Sequence, residues 1–266
     1  MVLKNISFKR NCFMKKEHDV RKHNSLINLR TKHKYNVNEL KFICKQISMI
    51  RPDYKNFEDE VIHIQDLGFS SKEIGNYKYI RKFFEDLYSK SFYIPGTNRL
   101  CGWFSSLEYK DGYIYYSMDE KLIPFLLDVQ NNFTQYHVSN VLKLRSSYSI
   151  RIYELLKQLE DKGNRTFTIE NLRSLLDISD SYKNADIKRL IDKTKKDLKE
   201  NTDLSFTYEF IKQGRSFNSI RFKIFKNKKI EEIDTTRVYG NIAKVDESKK
   251  SIFKFSQALH KKQGKK

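Results

Sequence analysis

The feature that most constrains this chain is an order of hydrophobic periods that occurs twice. In the first half, Leu40, Ile43, Ile47 and Ile50 fall at helical spacing. Asn36 and Glu39 open that helix as a capping box, and Pro52 closes it. Val61–Gln65 alternates as a short strand, Asp66–Phe69 gives a short helix and turn, and Tyr77, Ile80, Phe84 and Leu87 mark another helix, with Tyr77 expected in the core. Phe92 and Ile94 share a strand face before the Pro95-Gly96 turn. Trp103–Tyr109 and Tyr113–Met118 form a hairpin about Asp111-Gly112, a strong turn signal. Lys121–Val129 predicts a short helix leading onward. In the second half, helices over Phe133–Gly163 precede a strand at Thr166–Thr168 and helices at Ile169–Leu176 and Asp186 to about Asn201. Leu204, Phe206, Tyr208 and Phe210 then alternate, Gln213-Gly214-Arg215 turns the chain, and Ile220, Phe222 and Ile224 alternate on the return. Helix, strand, helix, helix and hairpin, twice over, predicts an α+β chain of two tandem winged-helix domains.

A length of 266 residues allows one or two domains. The expected division is 1–129, with a basic N-terminal arm, then 130–228, then a basic C-terminal tail over 229–266 where periodicity fades apart from a short helix at Ile252–Leu259. A hydrophobic content of 39% with 14% aromatics suffices for a core. The net charge of +19 points to a polyanionic partner. Residues 1–35 contribute +8 and residues 226–266 contribute +7, so only +4 falls between them, where placement of charge has to carry any specificity. Lysine-rich chains also arise from AT-rich coding DNA, and acidic lipid competes with nucleic acid as the polyanion. Cys12, Cys44 and Cys101 are far apart, which excludes a zinc ribbon, argues against a disulfide framework and makes a reducing cytoplasm the default. The N-terminus lacks an apolar secretory core, and no window nears 18 uninterrupted apolar residues, so no membrane span is expected.

Three basic stretches carry candidate chemistry. Ile152, Leu155, Leu156 and Leu159 form one apolar helix face, with Ser147 or Ser149 as its natural N-cap. The free N–H groups of such a helix end suit a phosphate, and Arg145 and Arg151 add forked donors beside Ser147. The helix from Asp186 turns Ile187, Leu190, Ile191 and Leu198 inward. Lys188, Asp192, Lys195 and Lys199 form an outward stripe, with Arg189, Lys193 and Lys196 beside it. A helix that enters a major groove needs apolar packing behind and long donors in front. An ordinary solvated helix has the same split, and Asp192, Asp197 and Glu200 at helical spacing from lysines favour that reading. Lys212 and Arg215 flank Gly214 at a hairpin tip, where they project toward a sugar–phosphate backbone or a minor groove. In the first half, Lys72, Lys78, Arg81 and Lys82 form a weaker basic face.

The stretch FTQYHVSNVLKLRSSYSIRIYELLKQLEDKG, with the hairpin at Leu204–Phe225, closely resembles the replication initiators of iteron-containing bacterial plasmids. Phe133, Thr134, Tyr136, Leu144, Arg145, Ser146, Tyr148, Ser149, Arg151, Tyr153, Glu154, Leu155 and Leu156 match the family pattern, with Arg145 in place of its usual lysine. Lys212, Gly214 and Arg215 match its K-K-G-R turn, from which Gln213 departs. The resemblance is strong over Phe133–Phe225, weaker over Asn24–Val129, and does not cover the tail. It implies a non-enzymatic protein. A monomer would bind directly repeated double-stranded sites, reading bases with Asp186–Asn201 and holding phosphates with Arg145, Ser147, Arg151 and Arg215. Several bound copies would strain adjacent DNA and recruit the host initiator and helicase. A homodimer, joined through the first unit, would bind an inverted repeat and repress its own gene.

The alternatives are a winged-helix transcriptional regulator without origin function and a replication nickase or primase. No G-x-x-x-x-G-K-[ST] occurs among the nine glycines. His63-Ile64-Gln65 breaks the histidine pair that a metal-dependent nickase needs, His18, His23 and His33 lack partners at ligand spacing, and no carboxylates group as in a two-metal site. Neither a metal nor a cofactor is expected.

Overall fold

The computed structural model describes residues 19–31, 33–50, 54–57, 59–67, 76–127 and 129–227. Lys72, Pro52, Phe69, residues 1–18 of the basic arm and the 229–266 tail, including the helix expected at Ile252–Leu259, lie outside the described residues.

The first unit begins with a strand that the periodicity does not reveal. β1 (Asp19–His23) pairs antiparallel with β7 (Phe133–His137), Asp19 opposite His137 and His23 opposite Phe133. A short helix follows each strand, α1 (Asn24–Ile27) and α5 (Val138–Leu142). Both start on a histidine whose Nδ1 accepts from the backbone N–H of the serine two residues on, Ser25 and Ser139, at 3.3 Å in each case. The expected boundary at 129/130 is therefore crossed by a strand ladder.

α2 (Val37–Met49) starts as its sequence predicts. Asn36 Oδ1 accepts from Glu39 N–H at 2.9 Å, and Glu39 Oε2 accepts from Asn36 N–H at 2.8 Å. β2 (Glu60–His63) runs into a 3₁₀ turn at Ile64–Leu67. α3 (Tyr77–Tyr88) turns Ile80, Phe83, Phe84 and Leu87 inward. Tyr77 is 58% exposed, against the expectation of a core position. It opens the helix one turn before Ile80 and rests on Tyr109 at 5.5 Å between ring centroids. A small hairpin, β3 (Phe92–Tyr93) and β4 (Leu100–Cys101), precedes β5 (Phe104–Lys110) and β6 (Tyr113–Met118). Asp111 and Gly112 both have positive φ, 51° and 80°, the type I′ turn that fits strand twist. The Lys121–Val129 helix resolves into a 3₁₀ turn at Glu120–Leu122 and α4 (Ile123–Leu126). Phe42 of α2 collects the core, with Phe84 at 5.5 Å and Phe104 at 5.4 Å.

The second unit comprises α6 (Ser147–Lys157), β8 (Asn164–Thr168), α7 (Ile169–Leu176), α8 (Asn184–Asn201), β9 (Leu204–Gln213) and β10 (Ser216–Lys226). The two winged sheets have the same strand order, β2-β6-β5 and β8-β10-β9. The repetition thus extends from element order to topology. Phe222 packs against Phe167 at 5.9 Å and Phe206 at 5.3 Å, which closes the second core.

α6 departs from its expected single apolar face. Ser149, Ile150, Ile152, Tyr153, Glu154, Leu155 and Leu156 are all buried, so protein surrounds the helix. Its polar side is satisfied internally. Glu154 Oε1 accepts from Lys22 Nζ at 2.7 Å and from the Tyr136 hydroxyl at 2.6 Å, and Glu154 Oε2 accepts from Arg151 at 3.2 Å. Lys22 Nζ also lies 3.4 Å from the buried Cys44 Sγ. One carboxylate thereby ties β1, β7 and α6 beneath α2. Further links join the units at the surface: Arg30 donates to Asn171 at 3.0 Å, and Arg165 to Asn28 at 3.2 Å.

Candidate nucleic-acid interface

α8 is built as a split helix. Ile187, Leu190, Ile191, Thr194 and Leu198 are buried along one side. Lys188, Arg189, Asp192, Lys193, Lys196 and Lys199 are exposed, and Lys195 is half-buried at the edge. The helix starts two residues earlier than expected, at Asn184, because Asp186 Oδ2 accepts from the backbone N–H of Lys183 at 2.9 Å.

The acids of this helix are used differently from the local lysine pairing that their spacing suggests. Asp192 Oδ1 accepts from the Tyr208 hydroxyl of β9 at 2.7 Å. Burial and the neighbouring carboxylate hold Tyr208 well above its ordinary pKa, so it stays a donor. Asp197 accepts from the Arg145 backbone N–H at 3.2 Å and from Asn201 at 3.0 Å. Glu200 pairs with Lys196 at 3.9 Å, and Asp186 with Arg189 at 2.7 Å. Lys188, Lys195 and Lys199 carry no ion pair among the described residues. They share a helix side with Asp192 and so lie toward the hairpin. The Asp192–Tyr208 bond fixes the spacing between helix and hairpin, which is what a reader of adjacent grooves needs.

At the hairpin tip, Gly214 and Arg215 form a two-residue turn with Gly214 at φ +62°. A positive φ at the first central position suits glycine, as in a type II′ turn. A side chain there would have open space but a strained backbone. Lys212 and Arg215 are exposed, and Lys212 Nζ sits 5.3 Å above the Phe217 ring. Arg215→Ala should weaken DNA binding and lower the salt slope by about one unit, the signature of one lost phosphate contact. An unchanged slope and affinity across a salt titration would remove Arg215 from the interface.

At α6 the phosphate expectation meets a different arrangement. The N-cap is Ser146, whose hydroxyl accepts from Tyr148 N–H at 3.2 Å. Ser147 and Ser149, the expected caps, fall one and three residues inside the helix, and Ser149 is buried. Arg151 turns its fork inward, to the carbonyl oxygens of Ile27 at 2.7 Å and Leu29 at 3.3 Å and to Glu154. Those bonds use the donors that a phosphate would need. Arg145 remains exposed, set beside the C-terminal half of α8 by its bond to Asp197. Ser147, Lys34, Tyr148 and Arg151 line a small cleft between the units, where Lys34 donates to the Tyr148 hydroxyl at 2.9 Å.

In the first unit, Lys78 and Lys82 are exposed on α3, and Arg81 pairs with Glu85 at 2.8 Å. The structure thus gathers Lys188, Lys195, Lys199, Lys212 and Arg215 on α8 and the adjoining hairpin. Arg189 and Lys196 sit round the helix from them, and Arg145 stands at its far end. Tyr208 was absent from the expected set, since its alternation marks only a strand face. An aromatic hydroxyl opposite an acidic position is the signal that would have found it.

The family model described as Initiator Replication protein, WH1, matches residues 19–157, just over half the chain, and that described as Initiator Rep protein, WH2, matches residues 168–224. A search of curated proteins found no match. No helix among the described residues is long and apolar enough to cross a membrane.

Proposed function

We propose a function from one premise: the chain belongs to the initiator replication protein family and carries both of its winged-helix units. It is a DNA-binding plasmid replication initiator. In our reading it binds directly repeated origin sites as a monomer, without an enzymatic step of its own. The observation that carries this is α8, whose basic side is locked to the β9–β10 hairpin by the Asp192–Tyr208 bond. α8 enters the major groove and reads base edges through Lys188, Lys195 and Lys199, while Arg145, Lys212 and Arg215 hold phosphates. Arg151 is not among these phosphate ligands, since it supports the helix end from within. Lys78 and Lys82 give the first unit a second, weaker contact. Bound copies strain the neighbouring duplex and recruit the host initiator and helicase, and a homodimer represses the protein's own gene from an inverted repeat.

The test is binding to DNA flanking the protein's own gene against scrambled DNA of equal length, across a salt series. Saturable binding to direct repeats, tighter by at least about a thousandfold, is the expected result. Equal affinity for both, lost steeply with salt, would mean that nonspecific charge dominates and that α8 is not a reader. Specific binding confined to an inverted repeat would favour a transcriptional regulator.

A further inference from the structure

The second hairpin carries an aromatic ladder further than its core requires. Along the inner face of β9 and β10 the cross-strand pairs are Phe206 with Ile224, Tyr208 with Phe222, Phe210 with Ile220, and Lys212 with Phe217. Strict alternation from Ile220 would put Phe217 on the outer face. A register shift between Phe217 and Ser219 inserts one extra residue, Asn218, and turns Phe217 back inward. The rings then touch in series: Phe206 to Tyr208 at 6.4 Å, Tyr208 to Phe210 at 5.8 Å, and Phe210 to Phe217 at 5.3 Å. Exposure rises along the series, from 2% at Phe206 to 40% at Phe217.

The bulge returns the phenyl ring to the inner face, where Phe210 and Lys212 cover part of it and 40% of the residue stays exposed in the free protein. The surroundings indicate what covers the ring. No acid occurs between Ile211 and Ser219, while Lys212 and Arg215 flank the ring. The same face bears Tyr208, which holds Asp192 of the reading helix. Whatever α8 grips is therefore presented to Phe217 as well, and an apolar ring between cations matches the sugars and base edges of a groove bordered by phosphates.

We propose that Phe217 is an apolar wedge that enters the minor groove beside the α8 site and opens a base step of the duplex. The inference rests on the proposed reading of α8. Apolar side chains inserted in this way unstack a step and kink the duplex, at least cost at flexible pyrimidine–purine steps. Lys212 shelters the ring in the free protein and uncovers it on turning to a phosphate. The bulge at Asn218 is the element that aims the ring.

The test compares the full chain, Phe217→Ala and Phe217→Leu on a fluorescently end-labelled duplex holding the direct repeat, reading affinity, salt slope and end-to-end distance. Phe217→Ala should bind about tenfold more weakly, as loss of one buried phenyl ring implies. It should bend the duplex less, with the salt slope unchanged because no phosphate contact is lost. Phe217→Leu, which keeps apolar bulk, should retain most of both effects, and this excludes a merely disordered hairpin. Alanine binding and bending like the wild type would overturn the wedge. So would a loss confined to single strands of the same sequence, which would make Phe217 a stacking platform. Failure of the wild type itself to prefer the repeat would instead strike the reading of α8.

Discussion

Replacing Glu154 by alanine should destabilise the chain by roughly 3–5 kcal/mol, the usual cost of stranding a buried charge. Glu154 is the common acceptor for Lys22, Tyr136 and Arg151, and its side chain is only 2% exposed. Without it the Lys22 ammonium, itself 6% exposed, keeps the Cys44 thiol and the Trp103 ring face as neighbours but no counter-charge among the described residues. For a chain of this size the loss corresponds to roughly 6–20 °C in melting temperature. Glu154→Gln should fall in between, since the amide still accepts hydrogen bonds but carries no charge. The pH dependence follows with a definite sign. Burial alone would raise the Glu154 pKa, but Lys22 and Arg151 prevail and hold it below its ordinary value. A depressed folded pKa gives stability that is complete above the unfolded value, about 4.3, and is lost as pH falls through the folded value. The gap between wild type and Glu154→Gln in urea midpoint should therefore hold at neutral pH and close in acid. A melting temperature for Glu154→Ala within a degree or two of the wild type would refute the account of this network.

The second large effect belongs to α8. Lys188→Ala should cost about 5–150-fold in affinity for the repeat, the value of one base contact of roughly 1–3 kcal/mol. Preference should relax at a single position of the site. Lys188 is exposed and makes no ion pair among the described residues, so melting should not change. A selection from randomised duplexes reads both quantities. A uniform loss over all sequences would assign Lys188 to the backbone instead.

What the sequence displayed and what it hid divide along physical lines. Local signals were accurate. Asp111-Gly112 marked a hairpin turn, Asn36 and Glu39 formed their box, and Ile169–Leu176 starts and stops at its predicted residues. The alternation from Leu204 to Ile224 marked the second hairpin, but not the bulge that redirects Phe217, because a register shift leaves no composition signal. β1 was invisible for a different reason. Its DVRKH offers one apolar residue, Val20, and its partner lies more than a hundred residues away. The same distance explains Arg151. Beside Ser147 it looks like a phosphate ligand, but the carbonyl groups that claim it belong to Ile27 and Leu29. Of the candidate site, the exposed lysines of α8 and the tip at Lys212 and Arg215 could be read directly. The Asp192–Tyr208 bond that joins them could not, since it depends on two elements meeting in space.

The β1–β7 ladder also sets a timetable for synthesis. Lys22 waits for Glu154 across 132 residues of chain. At about 5–20 residues per second the ribosome takes roughly 7–26 s to deliver it. Until β7 emerges, β1 is an unmated basic strand, and until α6 follows, Lys22 lacks its carboxylate. The helix that completes this unit is also the one that begins the second. A nascent chain therefore leaves the first DNA-binding unit unfinished until the second has begun to emerge.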